Sequence, residues 1–250
     1  MRPSRAGGRG DVRLYDTIDS TNDEARRLSE GGEVGPLWVR ALEQTKGRGR
    51  RGRSWLGEPG NLFTTGLFTL TCGPAEAANL SFVAALAVAE AIDCFVPPHE
   101  VSLKWPNDVL IEGRKTSGIL LESWQGPHGF HLAIGIGVNV RTSPDGIDQP
   151  ITCVSDHLRT GQSPVSAEIL FEGLQARFHD WFDLWSQQGF APIAKAWLAR
   201  ASGLGQPMIV RLPHETLEGR FHGLAAGGAL QLEQADGTIV DVTAGDVFFG

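Results

Sequence analysis

Residues 46–53 read Lys-Gly-Arg-Gly-Arg-Arg-Gly-Arg, five cations and three glycines in eight positions. Glycine at that density excludes a regular helix or strand and lets the backbone come close to a ligand. Five like charges repel one another, so the loop is expected to stay mobile until an anion orders it. It suits an anion whose oxygens meet backbone N–H groups and a guanidinium fork together. A solvated basic turn or an arginine-glycine contact with nucleic acid is the plainer alternative. The chain carries a formal net charge of -7, and no aromatic residue interleaves the cations, which argues against a nucleic-acid surface.

Around this loop the apolar pattern alternates between periods of about two and about 3.6. Strands are expected at 12–15, 37–44, 62–70, 101–104, 109–111, 117–124 and 130–140. Helices are expected from Thr21, where Thr21 and Glu24 have capping-box spacing, and at 76–95, 166–187 and 192–201. Ile169, Leu170, Leu174, Phe178, Trp181, Phe182 and Trp185 form the inward stripe of the third of these. Residues 141–150 carry Ser, Pro, Asp and Gly without periodicity and are expected to be a mobile loop. Beyond Gly203 and Gly205 only strands follow, at 208–212, 217–224, 229–233 and 238–242, enough for a small barrel. The expected division is a disordered lead-in at 1–10, a catalytic domain at 11–204 and a terminal module at 205–250.

Cys72, Cys94 and Cys153 are scattered and contain no CxxC pair. They suggest neither a disulfide framework nor a zinc site, and reduced thiols fit a cytoplasmic protein. No Gly-x-Ser-x-Gly elbow, metal-ligand cluster or signal peptide is apparent, and no apolar run approaches the roughly 18 residues of a membrane span.

A second cluster, Lys104-Trp105-Pro106-Asn107-Asp108, is followed by Lys115 seven residues beyond Asp108, and a third reads Gly135-Ile136-Gly137-Val138-Asn139. With the loop Gly47-Arg48-Gly49-Arg50-Arg51-Gly52-Arg53-Ser54-Trp55, these ordered motifs closely resemble those of the biotin protein ligases. The resemblance implies an α+β fold: a class II aminoacyl-tRNA-synthetase-like domain, a mixed sheet with helices, followed by a small SH3-like β-barrel. It implies ATP-dependent ligation of biotin to a lysine of a biotin carboxyl carrier domain through biotinyl-5'-AMP, with ATP and biotin as substrates and Mg²⁺ accompanying the nucleotide. Lipoate and octanoyl transferases share the fold but lack the arginine loop. They stand second, and a nucleic-acid module third.

By the same resemblance Arg50 and Lys115 are the catalytic residues, and biotin meets Ser20, Thr21, Asn22, Gln44, Gly47, Arg48, Arg50, Trp55, Lys115, Gly118 and Gly135. ATP meets Arg48, Arg50, Arg51, Arg53, Trp55, Lys104, Asn107, Lys115 and Asn139, and Asp108 is the candidate metal ligand. Several have plainer roles open to them: capping for Ser20 and Thr21, a local Lys104–Asp108 ion pair, water for Arg51 and Arg53. Gly118 and Gly135 are expected to keep the strand surface flat beneath the ligand. Relatives place an aromatic residue over adenine where this chain has Gln149-Pro150-Ile151-Thr152. About a dozen residues precede the catalytic pattern, too few for a helix-turn-helix, so specific DNA binding is not expected; a homodimer is compatible. All assigned residues lie between Ser20 and Asn139. The terminal module, closing on Asp246-Val247-Phe248-Phe249, is therefore expected to serve carrier transfer more than activation.

Overall fold

The computed structural model describes residues 10–55, 57–126, 128–144 and 149–249. The expected lead-in, apart from Gly10, lies outside the described residues, as do 145–148 of the 141–150 loop. A seven-stranded sheet forms the first part of the chain, in the order β1-β2-β3-β7-β6-β5-β4. Its strands are β1 (Asp11–Ile18), β2 (Leu37–Gln44), β3 (Leu62–Leu70), β4 (Val101–Lys104), β5 (Asp108–Ile111), β6 (Arg114–Gly126) and β7 (Gly129–Val138). Only β1 and β2 pair parallel, and every other neighbour is antiparallel.

Strand alternation divides the core between the two faces. Leu37, Val39, Leu67 and Ala133 pack with Ala25 of helix α1 (Thr21–Glu30). Trp38, Phe68, Leu132, Ile134 and Ile136 point the other way, into the main core. There α3 (Leu80–Ile92), preceded by the single turn α2 (Pro74–Ala77), lies against α4 (Ala167–Gln188) and α5 (Phe190–Leu198). Trp38 meets Phe68, Phe171 and Phe178 edge-on with centroids 5.3–6.1 Å apart, a favoured aromatic geometry.

Three expectations need correction here. Ile169 is 51% exposed, because the buried stripe of α4 begins at Leu170 and Phe171. The expected 76–95 helix is broken by a turn at Ala78 and Asn79. Pro74–Ile92 is long and apolar enough to cross a membrane by composition, although 72% of its apolar window is buried inside the fold.

The terminal strands β8 (Pro207–Arg211), β9 (Thr216–Leu224), β10 (Leu230–Glu233), β11 (Ile239–Val242) and β12 (Asp246–Phe249) form an antiparallel SH3-like sheet, ordered β11-β10-β9-β8-β12. Strand β12 was not foreseen. Four residues with two adjacent aromatics carry too little alternation to announce a strand, and pairing with β8 supplies what is missing. The main core runs unbroken into this module through Met208, Val210, Phe221, Leu230 and Leu232. Leu103 of β4 also exchanges backbone hydrogen bonds with Arg200 and Ser202 at 2.8 Å each.

Candidate active site

A cavity of about 220 Å³ opens on the α1 face of the sheet. Its floor is β6 and β7, where Gly118 pairs with Gly137 and Leu120 with Gly135. These glycines are required for a specific reason. A Cβ at Gly137 would lie 2.4 Å from the Trp55 indole, one at Gly118 2.9 Å from it, and one at Gly135 2.3 Å from Asn22 Oδ1. The flat floor therefore receives two protein side chains, a more particular role than the bare ligand surface expected. Trp55 is wedged there with its buried Nε1 lacking a hydrogen-bond partner.

The basic loop folds back on itself. Trp55 N–H donates to Gly47 O at 2.9 Å, and a Cβ at Gly47 would strike Trp55 O at 2.5 Å. Gly47 thus lies at the loop's crossing and does not line the cavity. Arg50–Gly52 make one 3-10 turn, with Arg51 at φ 55 and Gly52 at φ 72. The expected mutual repulsion is answered by acidic partners. Arg48 pairs with Asp23 at 2.7 Å and Glu122 at 2.9 Å. Arg51 and Arg53 both grip Asp246 of β12, at 2.9 and 2.7 Å. Both arginines are thus ion-paired while still partly exposed to water, and Arg51 lies off the cavity lining.

Three cations are left facing the cavity with incomplete solvation. Arg50 donates to Asn107 Oδ1 at 3.2 Å, and burial lowers its pKa. Burial also lowers the pKa of Lys104, whose Nζ sits 5.7 and 5.6 Å from the Phe248 and Phe249 rings. Lys115 Nζ is 2.7 Å from Asp108 Oδ1, off the line of a hydrogen bond, and 5.7 Å from the Trp55 ring. Asp108 accordingly pairs with Lys115, and the expected Lys104–Asp108 pair gives way to it. Residues 150–152 pin the Lys115 backbone on both sides, at 2.9 Å each.

Neutral groups line another part of the cavity. Gln44 Oε1 accepts the Thr21 N–H at 2.8 Å, so a side chain from β2 occupies the helix start. Ser20 holds the N-cap position without a side-chain cap bond. The expected capping box fails because Glu24 instead accepts from Arg27 and Tyr15. Thr65 donates to Asn22 Oδ1 at 2.6 Å. Asn139, buried at 3%, donates to Thr152 O and keeps a buried Oδ1 without a partner.

The structure thus brings Ser20, Thr21, Asn22, Gln44, Arg48, Arg50, Arg53, Trp55, Lys104, Asn107, Asp108, Lys115, Gly118, Gly135 and Asn139 to one cavity. Asp246, Val247 and Phe248 line it too. Their motif carries no cation, so only the long-range register of β12 could place them there, and the terminal module forms one wall of the site. A separate cluster, Glu100, Glu112 and His157, lies within metal-ligand reach, although no spacing in the sequence links them. Arg114 already donates toward His157 Nε2 and Glu112 at 3.1 Å each.

Poorly solvated cations, neutral hydrogen-bonding groups and a folded-back glycine loop in one cavity on a mixed sheet suit an enzyme site that brings anionic groups together. A family model described as "Biotin/lipoate A/B protein ligase family" matches residues 14–139, and "Biotin protein ligase C terminal domain" matches 203–250. A biotin–[acetyl-CoA-carboxylase] ligase of Paracoccus denitrificans is 42% identical over 240 residues, covering 93% of this chain and 98% of that protein. The bifunctional ligase/repressor of Escherichia coli is 31% identical over 246 residues, covering 95% of this chain and 74% of that one. A solved biotin protein ligase of Aquifex aeolicus, in complex with biotin and ATP, superposes with a TM-score of 0.81 at 25% identity, covering 96% and 99% of the two chains. The chain belongs to the biotin protein ligase family.

Proposed function

We propose that this protein joins biotin to the α-phosphate of ATP and passes the biotinyl group to a lysine of the carrier domain of acetyl-CoA carboxylase. A free carboxylate offers an amine no leaving group. Attack of its oxygen on the α-phosphorus, with loss of pyrophosphate, makes a mixed anhydride from which AMP departs readily. The obstacle is repulsion between carboxylate and polyphosphate, so the catalysis is positioning and charge neutralisation, with no protein nucleophile.

The observation that carries this assignment is the convergence of Arg50, Lys104 and Lys115, all short of solvent or partners, in the cavity that holds Thr21, Asn22 and Gln44. Arg50, oriented by Asn107, would bridge the carboxylate and α-phosphate, and Lys115 would share the charge developing between them. The uncharged ureido ring of biotin needs neutral partners, which Ser20, Thr21, Asn22 and Gln44 provide. The unpartnered Oδ1 of Asn139 suits an amino group such as that of adenine. Mg²⁺ accompanies ATP chiefly on phosphate oxygens and offsets their charge. Asp108, whose Oδ1 lies 2.7 Å from Lys115 Nζ, is the candidate carboxylate and would have to exchange that ion pair for the metal. Three free cysteines support a reducing, cytoplasmic setting.

Lipoate is the second reading, since the family description over 14–139 names both acids. The match of 203–250 to the biotin protein ligase C-terminal domain favours biotin. Incubation with ATP and either acid, followed by mass detection of the acyl-adenylate, decides between them. Biotinyl-AMP is expected, and lipoyl-AMP as the sole product would overturn the proposal.

A further inference from the structure

Glu122 lies on β6 two residues beyond the cavity residue Leu120, on the same face of the sheet, and is itself outside the cavity lining. Its carboxylate does two things at once. Oε2 accepts a hydrogen bond from Asn22 Nδ2 at 2.7 Å and stands 2.9 Å from Arg48 Nη2. Arg48 is also held by Asp23, at 2.7 Å. On its other side the Asn22 amide is fixed by Thr65, which donates to Oδ1 at 2.6 Å. With Oδ1 committed as acceptor, Nδ2 must find an acceptor of its own, and Glu122 is the near one; Leu120 O lies at 3.5 Å. A single carboxylate therefore links the basic loop to an amide inside the neutral part of the cavity.

Stability does not explain this link. The side chains of Arg48, Asp23 and Glu122 are 43%, 32% and 37% exposed, and ion pairs so accessible to water contribute little. What the link restricts is position: the orientation of one amide and the path of one loop. Among the described residues no hydrogen bond or ion pair joins Glu122 directly to Arg50, Lys104 or Lys115, so it reaches these cations only through the loop.

We infer that Glu122 is a positioning residue for biotin. It sets the Asn22 amide toward the ureido ring and, through Arg48, holds loop 47–55 across the cavity. Its effect falls on biotin capture and on retention of the adenylate more than on adenylyl transfer, because Arg50 is oriented separately by Asn107. This role rests on biotin being the ligand, as proposed above.

The test is the full-length protein carrying Glu122→Ala, Glu122→Gln, Arg48→Ala or Arg48→Ala with Glu122→Ala. Biotin affinity, adenylate release and the kinetics of adenylation are measured for each. Glu122→Ala is expected to weaken biotin binding and hasten adenylate release by about tenfold, the loss of a charged hydrogen bond. KM for ATP and kcat should stay within about twofold of wild type. Glu122→Gln keeps an acceptor for Asn22 and loses the charge facing Arg48, so it should fall between wild type and Glu122→Ala. The double variant should lose less than the product of its two single losses, because the side chains act through one link. Trypsin should cut the loop of biotin-bound Glu122→Ala faster than that of wild type. An unchanged biotin affinity would overturn the role, as would equal rises in KM for ATP and biotin, or a lowered melting temperature with all parameters falling together. Wild-type protein that binds lipoate and ignores biotin would remove the proposed function and this role with it. Wild-type protein that binds biotin normally beside an unaffected Glu122→Ala removes this role alone.

Discussion

Arg50 and Lys104 hold positive charge where water is scarce, and each is stabilised by whatever anion arrives. Arg50→Ala and Lys115→Ala are each expected to slow adenylation by roughly 10²–10³, as for removal of one preorganised partner of the developing charge; single-turnover formation of biotinyl-AMP measures it. For Lys104 the consequence is visible without substrate. Burial lowers its pKa below 10.5, so in the window just below 10.5 the unfolded chain binds this proton more strongly than the fold does. Stability of the wild type relative to Lys104→Met should therefore rise as pH climbs through that window. Paired thermal melts across alkaline pH give the sign, and a difference that falls with pH would contradict it. That Arg50 and Lys115 meet in one cavity was legible in the sequence because their spacing sits within long motifs. The partners of Arg51 and Arg53 were not, because a sequence displays a charge and conceals which distant carboxylate will answer it. Gly135 was legible as a required glycine, while the Asn22 side chain that requires it lies over a hundred positions away.

At the scale of elements, β2, β3 and β4 were read correctly because their apolar runs are bounded by turn residues, and α4 because its stripe persists for five turns. Strand β12 has no such pattern, yet it carries the carboxylate that holds the loop. Burial raises the pKa of Asp246, but the Arg53 hydrogen bond and the charges of Arg53, Arg51 and Arg50 outweigh it, and the net shift is below 3.8. Asp246 thus stays ionised, and its contribution, present above 3.8, is lost only as pH falls through the lowered value. Asp246→Ala should release both arginines. In the ligand-free protein trypsin should then cleave 47–55 several-fold faster, and pyrophosphate should inhibit adenylation more strongly. Unchanged cleavage would show that the loop holds its form without β12.

On the scale of the whole molecule the two modules share one core and one site. Trp105 Nε1 donates to Gly228 O at 3.1 Å, and a Cβ at Gly228 would lie 2.8 Å from Phe82. Gly228 also has φ +85, which a β-branched residue tolerates poorly. Gly228→Val should cost about 2–4 kcal/mol in denaturant unfolding, combining backbone strain with a core collision. A chain ending near residue 204 would uncover Trp197 and Phe82 and remove one wall of the cavity. It is expected to lose adenylation as well as transfer, contrary to the division of labour that motif positions alone suggest. The carboxylate between Arg51 and Arg53 has one more effect, on which anions the enzyme notices. A monovalent or divalent ion reaching those arginines must displace a tethered competitor whose effective concentration is high. An ion bearing several linked charges can settle on Arg50 and Lys104 first and then prise the arginines away. The resting enzyme is thereby expected to respond less to inorganic phosphate than to a nucleoside triphosphate.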